Sequence, residues 1–420
     1  MKIQELKNEI QQYQYFEDTN IIDVAIASVI ATRMKLGDPV WLVIIGPSSG
    51  GKSQILRPLS LTDEKFMHRV DDLTENTLLS GQGEDMSLLH KIGTQGMIVI
   101  SDLTVIFSKA KEARATILSQ FRMVYDGEMT KYSGNKKDAL KWHGYLGVIS
   151  GSTPSIYGHF EEVSDMGERF IYYRMKDYDA QKATQLSLKR KVFGKDLDTK
   201  LSDMYAGYIK DVVEKTKGQE INLTDEEQNR IIDVAMFAEI VRTTAHVDMF
   251  DKKIDRIPVP AMPMRVALQL TAIAKALKAM RIAEGGDLGP KDLDIIDWCG
   301  YSLANEEKRA CLRTLAKIPF NTTIKTQVVA DQIGLATHFA NTILQNLTAV
   351  GVLKRTGSGD GLFWQIAKEQ DWTFVRKMEG IGQDSEFEDR DISSEETDEK
   401  SSSLDRELDE WGEPIQAQTF

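Results

Sequence analysis

Eight residues near the start of the chain have the types and spacing of a phosphate-binding loop, namely Gly46, Pro47, Ser48, Ser49, Gly50, Gly51, Lys52 and Ser53. Glycines at both ends of such a loop let backbone N–H groups turn inward around phosphates, where a Cβ atom would clash. In this pattern Lys52 reaches the outer phosphates and the Ser53 hydroxyl is a ligand of Mg²⁺. The segment, extended by Gln54, therefore predicts a site for ATP with Mg²⁺.

An acidic residue follows a hydrophobic run later in the chain. Met97–Ile100 predicts a buried strand, and Ser101 and Asp102 come directly after it. A carboxylate at such a strand end can hold the metal of an ATPase, so Asp102 is predicted to be catalytic and metal-binding. Either Asp102 binds Mg²⁺ and another residue orients the attacking water, or Asp102 orients that water and Ser101 faces the metal. A plainer alternative is that Asp102 only forms a turn after the strand.

Other candidates for orienting the water lie after the preceding predicted strand: Asp71, Asp72 and Glu75. A later predicted strand ends in Ser152 and Thr153, which places small hydroxyl groups where a sheet would meet the nucleotide. Thr153 is therefore a predicted nucleotide contact, and a simple turn before Pro154 is the equal alternative. Arg169 offers a charge that could reach the nucleotide of a neighbouring subunit, with Arg174 in reserve.

The elements that must position these residues alternate between strands and helices. Val40–Ile45 is a continuous apolar run leading into the phosphate-binding loop, as expected for a parallel strand buried on both faces. Further strands are predicted at Phe66–Val70, Met97–Ser101, Tyr145–Gly151 and Arg169–Met175, and helices at Asn20–Lys35, Lys52–Ser60 and Lys111–Tyr125. The alternation predicts an α/β fold over residues 1–178, with a parallel sheet flanked by helices.

The rest of the chain lacks this alternation. Residues 179–285 have helical periodicity. Residues 286–370 end in a helix-turn-helix pattern and a hairpin around Gly357–Gly361, which is typical of a winged-helix domain. Residues 371–420 are acidic and poor in apolar residues, and predict a disordered tail that is solubilising, recruits a protein partner or mimics single-stranded DNA.

Charge and cysteine content limit the classes of function. The net charge is −12, yet residues 379–420 carry fifteen of the acidic side chains and only three of the basic ones. The body of the chain is therefore close to neutral and can present basic surfaces to nucleic acid. Cys299 and Cys311 lack metal-ligand spacing, which argues against a zinc site or a disulfide framework. The lack of a long apolar run predicts a soluble cytoplasmic protein with no membrane partner.

A basic segment between the predicted strands Met97–Ser101 and Tyr145–Gly151 predicts contact with DNA. Residues 128–143 predict two short strands around Gly134 and Asn135. Four lysines provide charge for phosphates: Lys131, Lys136, Lys137 and Lys141. Tyr132 and Trp142 provide rings for base stacking. The alternative is a solvated hairpin in which lysine serves solubility.

In this order the elements resemble the core of AAA+ ATPases. The resemblance rests on Gly46–Ser53 as Walker A, Met97–Asp102 as Walker B, Ser152 and Thr153 near sensor 1, and Arg169 as arginine finger. Gly50–Leu56 is similar to the GKSQLL run of minichromosome-maintenance-type helicases. Residues 124–128, 147–154 and 167–170 resemble ATPases carried by phages and other mobile elements. The chain departs from the family pattern in two places, since Walker B lacks its Glu and sensor 1 its Asn.

The resemblance implies further assignments. The basic hairpin is similar in position to the insertion that tracks DNA in these helicases. Arg265 is similar in setting to the sensor 2 arginine of a helical lid, with Arg242 as the alternative. The resemblance also implies a homo-oligomer, a hexameric ring, with DNA as its partner.

Together these features predict an ATP-hydrolysing motor that acts on DNA, as a replicative helicase or replication initiator of a phage or mobile element. The alternative from another class is an ATP-dependent loader or switch, or a nucleotide-regulated DNA-binding protein without unwinding activity. A scaffold with a relic nucleotide site is third, and the missing Glu is its only support.

Overall fold

The computed structural model describes residues 1–80, 87–132, 138–159, 169–176, 179–190, 194–243, 259–357, 362–382 and 392–393. Across these ranges, no helix is both long enough and apolar enough to cross a bilayer. Both cysteines, Cys299 and Cys311, are buried free thiols.

In the first part of the chain the described residues form the strands β1 (Trp41–Ile45), β2 (Met67–Val70), β3 (Gln95–Ile100), β4 (Glu128–Lys131), β5 (Leu140–His143), β6 (Tyr145–Ser152) and β7 (Ile171–Arg174). Five of them form a parallel central sheet in the order β2-β3-β6-β1-β7. All five side chains of β1 are buried, as the continuous apolar run predicts for a strand covered on both faces. The predicted α/β class is confirmed, and each predicted strand is present with small differences at its ends.

Helices flank this sheet: α1 (Ile3–Gln11), α2 (Asn20–Met34), α3 (Lys52–Ser60), α4 (Leu88–Ile92), α5 (Thr104–Phe107) and α6 (Lys111–Tyr125). The α2 helix is apolar on all sides because it packs against β6 and β3 on one face and against later helices on the other. Strands β4 and β5 form a separate antiparallel hairpin between α6 and β6, with Glu128 opposite His143 and Thr130 opposite Lys141.

After the sheet the described residues form the helices α7 (Ala180–Arg190), α8 (Gly194–Lys215), α9 (Asp225–Arg242), α10 (Met264–Ala283), α11 (Pro290–Tyr301) and α12 (Glu306–Lys317). The α8 and α10 helices cover the outer face of α2. Buried charge fixes this layer, because Arg281 of α10 pairs with Asp23 of α2 at 3.1 Å and also with Asp292 of α11. Asp23 pairs in addition with Lys7 of α1. Removing one member of such a buried network leaves an unpaired charge and is strongly destabilising.

The last part of the chain contains β8 (Thr323–Lys325), α13 (Thr326–Ile333), α14 (Thr337–Ala349), β9 (Leu353–Thr356), β10 (Phe363–Ile366), α15 (Glu369–Glu379) and β11 (Ile392–Ser393). Its strands form an antiparallel sheet in the order β11-β8-β10-β9. Gly334, at φ 69°, ends α13 and allows the turn into α14. The predicted start of the acidic tail, residue 371, lies within α15, and this helix buries Val375 and Met378.

Candidate nucleotide-binding site

The phosphate-binding loop connects the end of β1 to the start of α3. Two of its residues have left-handed backbone conformations, Ser49 at φ 62° and Gly51 at φ 92°. A non-glycine residue in this region is held there by its surroundings, and such residues concentrate at ligand sites. Pro47, Ser48 and Ser49 are exposed at the tip of the loop, whereas Gly46 and Gly50 are buried at its base. The loop is a compact turn, in which the N–H of Gly50 donates to the carbonyl of Pro47 at 3.0 Å.

Lys52 occupies the centre of this loop. Its Nζ donates hydrogen bonds to the carbonyl oxygens of Gly46 and Pro47, at 2.8 and 2.7 Å. Burial lowers the pKa of Lys52, and the negative charge of Asp102 acts in the opposite direction. The ammonium thus lies where anionic oxygens would be bound, and phosphate oxygens would compete with the two carbonyls for its protons.

Ser53 and Gln54 begin α3 next to Lys52. The Ser53 side chain is exposed at the first turn, so its hydroxyl is available to a cation. The N–H of Gln54 donates to the carbonyl of Gly51 at 2.9 Å, and its carbonyl accepts from Nε2 of Gln14 at 2.8 Å. The first turn of α3 directs its remaining N–H groups and the positive end of its dipole toward the loop, which favours anions.

Strand β3, which precedes Asp102, and strand β6, which ends in Ser152, both end beside this loop. All parallel strands have their carboxyl ends at the same edge of the sheet, and β6 lies between β1 and β3. A Cβ atom on Gly151 of β6 would lie 2.8 Å from the Ser101 carbonyl oxygen and 3.5 Å from Cβ of Lys52. Gly151 therefore permits a close approach between the end of β3 and the start of α3, and it brings Ser101 and Lys52 together.

Asp102 is held in a fixed orientation at this edge. Its Oδ1 accepts hydrogen bonds from the N–H of Thr104 at 3.0 Å and from Oγ1 of Thr104 at 2.7 Å. Its charge acts on Lys52. Among the described residues, no group of three His, Cys, Asp or Glu side chains is placed to hold a metal. The hard oxygen donors of Asp102 and Ser53 nevertheless suit Mg²⁺, which typically takes one or two protein ligands together with phosphate oxygens and water.

Of the three residues after β2 that could orient the attacking water, Asp71 is the one whose carboxylate contacts the end of β3. Its Oδ1 accepts from Oγ of Ser101 at 2.7 Å and from Nε and Nη2 of Arg69 at 3.1 and 3.0 Å. The Ser101 hydrogen bond is the main cause that lowers the pKa of Asp71. Asp72 instead pairs with Lys109 at 2.6 Å. Glu75 contributes its main-chain carbonyl, which accepts from Gln120 and Lys131.

The end of β6 is bonded directly to the phosphate-binding loop. The N–H of Gly46 donates to the carbonyl of Ser152 at 3.1 Å. The Thr153 hydroxyl lies 2.6 Å from Oγ of Ser155. The structure thus brings the predicted hydroxyl pair to the loop, with Ser152 buried and Thr153 partly exposed.

Sequence reasoning missed a cleft on the other side of the loop. The cleft is lined mainly by Tyr15–Asp18, the loop residues Ser49–Gly51 and Gln54, Met175 and Lys176 after β7, and Ala183 and Ser187 of α7. Asp18 is fixed because its Oδ2 accepts from the hydroxyl of Tyr173 at 2.7 Å. The volume is about 30 Å³, which is room for about two waters. The run Tyr13–Asp18 was the available signal, since its aromatic residues precede α2 without belonging to a helix pattern.

Arg169 lies at the opposite edge of the sheet. It precedes β7, and because Leu42 pairs with Ile171, Arg169 is level with the residue before β1. Its guanidinium is buried, and Nη2 donates to both carboxylate oxygens of Asp126 at 3.1 and 2.8 Å. A five-residue strand separates the two edges by roughly 16 Å. Arg169 therefore does not reach the phosphate-binding loop of its own chain.

Arg265 lies at the same far edge as Arg169. Gln269, one turn further along α10, accepts from the N–H of Trp41 at 2.9 Å and donates to the carbonyl of Arg169 at 3.0 Å. The Arg265 charge acts on Asp38, which precedes β1. The structure thus separates Arg265 from the loop.

The two reserve arginines are committed to ion pairs. Arg242 donates to both oxygens of Glu239 at 2.7 Å. Arg174 pairs with Glu306.

The basic hairpin divides its predicted DNA contacts between two faces. Lys131 points inward, and its Nζ donates to the carbonyls of Glu75 and Leu79 at 3.0 Å and to Oδ1 of Asn76 at 2.8 Å. Trp142 is buried and donates to the carbonyl of Gly93. Lys141 and Tyr132 are exposed, Tyr132 at 82%. Lys136 and Lys137 lie outside the described residues.

Searches with the whole sequence found no matching protein-family model and no matching curated protein.

Proposed function

We propose that the chain is an ATP-hydrolysing motor of the AAA+ class that acts on DNA, as a replicative helicase or replication initiator of a phage or mobile element. One observation carries the proposal: β6 lies between β1 and β3, so the loop, the Asp102 carboxylate and the Ser152–Thr153 hydroxyls meet at one edge. A strand whose end senses the nucleotide has to lie next to the phosphate-binding loop, as β6 does. The resemblance in motif order and this spatial arrangement are independent supports.

The proposed chemistry follows from the residues at that edge. Lys52 and the loop N–H groups bind the outer phosphates, and Ser53 and Asp102 hold Mg²⁺, which when bound neutralises charge on the transferred phosphoryl group. Asp102 is oriented by Thr104 and keeps Oδ2 for the metal or for the attacking water. The base and ribose enter the cleft beside Tyr15–Asp18, which has to widen to accept them.

The positions of two arginines support the proposed ring assembly. Arg169 and Arg265 are at the edge opposite the loop, so each can meet only the nucleotide of another subunit. A head-to-tail contact, which closes into a ring, places the far edge of one copy against the loop of the next. Arg265 is exposed, whereas Arg169 would have to leave Asp126. We assign residues 179–285 to a helical lid and residues 286–370 to a winged-helix domain of this cytoplasmic hexamer.

DNA contact is assigned to two surfaces. The hairpin presents Lys141 and Tyr132 to solvent, a cation for phosphates and a ring for stacking. In the winged-helix region the exposed basic side chains include Lys325 before α13, and Lys354 and Arg355 on β9. These residues lie in the strand and wing positions from which such domains reach the phosphate backbone.

A loader or switch is the second candidate, and α14 favours it. This helix has no Lys or Arg, and it exposes Phe339 at 59%. A helix surface without Lys or Arg and with an exposed aromatic ring is suited to protein contact more than to phosphates. In that case nucleotide binding would control assembly on DNA without strand separation.

Strand displacement on a forked DNA, measured beside ATP turnover and particle mass, tests the proposal. We expect turnover to rise with single-stranded DNA and with assembly, and displacement to require ATP. The Tyr132→Ala/Lys141→Ala variant should lose displacement and DNA stimulation while its basal nucleotide binding stays native. DNA-stimulated turnover without displacement would support the loader instead. If the ATP turnover of the native chain and of the variant is the same with and without DNA, the motor proposal is overturned.

A further inference from the structure

We infer that Asp71 is a positioning residue for the metal side of this site and that it acts through Ser101. The inference rests on the proposed function, since it concerns Mg²⁺ bound with ATP. It addresses the position where the chain has Ser101-Asp102 after β3 instead of two consecutive carboxylates. In our assignment the pair formed by Ser101 and Asp71 takes over the part of the missing strand-end carboxylate.

The hydrogen bond between Ser101 and Asp71 determines how the serine can act. A serine hydroxyl has one proton and two lone pairs. Ionised carboxylates only accept, so the proton in the 2.7 Å contact belongs to Ser101 Oγ and is directed at Asp71. With its proton held there, Ser101 offers only lone pairs to its other neighbours, as a carboxylate oxygen does. It is thereby fitted to accept hydrogen bonds from the water shell of a cation.

Asp71 is itself held in the ionised, oriented form that this role needs. Arg69 of β2 supplies two N–H donors at 3.1 and 3.0 Å, and the Ser101 bond lowers the pKa of the carboxyl. All three of these donors reach Oδ1, and the Asp71 side chain is 63% exposed. Its Oδ2 is therefore available to ordered water at the same edge of the sheet.

The position of Ser101 connects this pair to the nucleotide. The Ser101 carbonyl and Lys52 Cβ approach the same point beside Gly151, and the Asp102 charge acts on Lys52. Metal sites depend on residues outside the direct ligands, and removing one of them typically costs about 10-fold to 100-fold in metal affinity. An ordinary surface ion pair between Asp71 and Arg69 would have no such effect, because exposed pairs contribute little even to stability.

The test measures metal dependence separately from turnover. A fluorescent, slowly hydrolysed ATP analogue is titrated into the full chain at a series of Mg²⁺ concentrations. We expect Asp71→Asn to raise the half-saturating Mg²⁺ concentration by about 10-fold, with the affinity for the analogue in EDTA unchanged. Glu64→Gln removes one negative charge from an exposed residue before β2 and is the matched control, for which the native Mg²⁺ dependence is expected.

Two further variants test whether Asp71 acts through Ser101. Ser101→Ala should shift the Mg²⁺ dependence as Asp71→Asn does, and the double variant should shift it no further, since residues acting as one unit are not additive. Ser101→Asp in the Asp71→Asn background should restore the native dependence. Circular dichroism and thermal melting verify folding.

Two kinds of failure are distinguishable. If the native chain binds the analogue with a Mg²⁺ dependence that Asp71→Asn leaves intact, the role of Asp71 is overturned and the nucleotide site stands. Additive shifts in the double variant overturn the action through Ser101. If the native chain shows no Mg²⁺-dependent binding, the proposed function falls, and this inference falls with it.

Discussion

The two edges of the central sheet differ in how their polar side chains are satisfied. At the loop edge, Lys52 bonds to main-chain carbonyls that a phosphate can replace, and Ser53 is exposed. At the far edge, Arg169 is fixed by Asp126, and Gln269 bridges the first residue of β1 to Arg169. One edge keeps donors that can be exchanged with a ligand, and the other uses them to hold strands and helices together.

Motif order along the chain does not by itself locate a residue in the fold. Arg169 follows Thr153 in sequence, but it precedes a strand whereas Thr153 follows one. In a parallel sheet the residue before a strand and the residue after it lie at opposite edges. The three following predictions test the contrast, in order of decreasing effect.

The largest effect is expected at the loop edge. Lys52→Met removes charged hydrogen bonds to the phosphates, and a loss of about 2–3 kcal/mol corresponds to roughly 30-fold to 150-fold weaker binding. Isothermal titration with an ATP analogue measures it. The control is Lys65→Met, an exposed lysine before β2, which should bind as the native chain does. Equal affinity in both variants would remove Lys52 from the site.

A smaller effect, on stability, is expected at the far edge. Arg169→Met leaves Asp126 without its partner and removes a cation 5.4 Å from the centre of the Tyr125 ring. Since Asp126 is partly exposed, we expect a loss of about 2 kcal/mol in the free energy of unfolding, measured by urea denaturation.

The nucleotide affinity of Arg169→Met decides whether the contrast holds. At protein concentrations where the chain is a monomer, that affinity should equal the native value, because Arg169 and the loop are at opposite edges. A loss of affinity in the monomer would show that the two edges are not functionally separate.

The smallest effect is expected in the hairpin. There too, one basic side chain is held by hydrogen bonds and another is exposed. Lys131→Met removes a lysine bonded to the Glu75–Leu79 segment and should lower the free energy of unfolding by about 1 kcal/mol, with little change in DNA affinity. Lys141→Met, exposed on the other face, should leave stability intact and weaken DNA binding, with a reduced dependence on salt. Fluorescence anisotropy and denaturation measure the two quantities. The reverse pattern would exchange the roles of the two lysines.

The strands and the helix of the loop edge could be predicted from local signals. The spacing around Lys52 and the hydrophobic run before Asp102 both lie within a few residues of the chemistry, and strand direction brings them together. The contact between Asp71 and Ser101 could not be predicted, because it depends on β2 pairing with β3 in one register, with Val70 beside Ile100. Pairing between distant segments is not encoded in either segment alone.

Two other differences between prediction and structure, in the hairpin and in α15, correspond to local patterns in the sequence. Side chains alternate across a strand, so Met129 and Lys131 share the inward face of β4, and Leu140 and Trp142 that of β5. Applied to the hairpin, this alternation separates inward-facing, half-buried Lys131 from exposed Lys141. In α15, Val375 and Met378 are spaced by three residues, which indicates a packed helix face within the segment predicted as acidic tail.

The hydrogen bond from Gly46 to Ser152 has a consequence for how such a site persists over evolution. It joins the loop to β6 through main-chain atoms only. Replacing the Ser152 side chain leaves the acceptor in place, whereas a Cβ atom on Gly46 would lie 2.6 Å from Sδ of Met175. Selection can therefore keep these two elements aligned by preserving the glycine at position 46, whatever side chain position 152 carries.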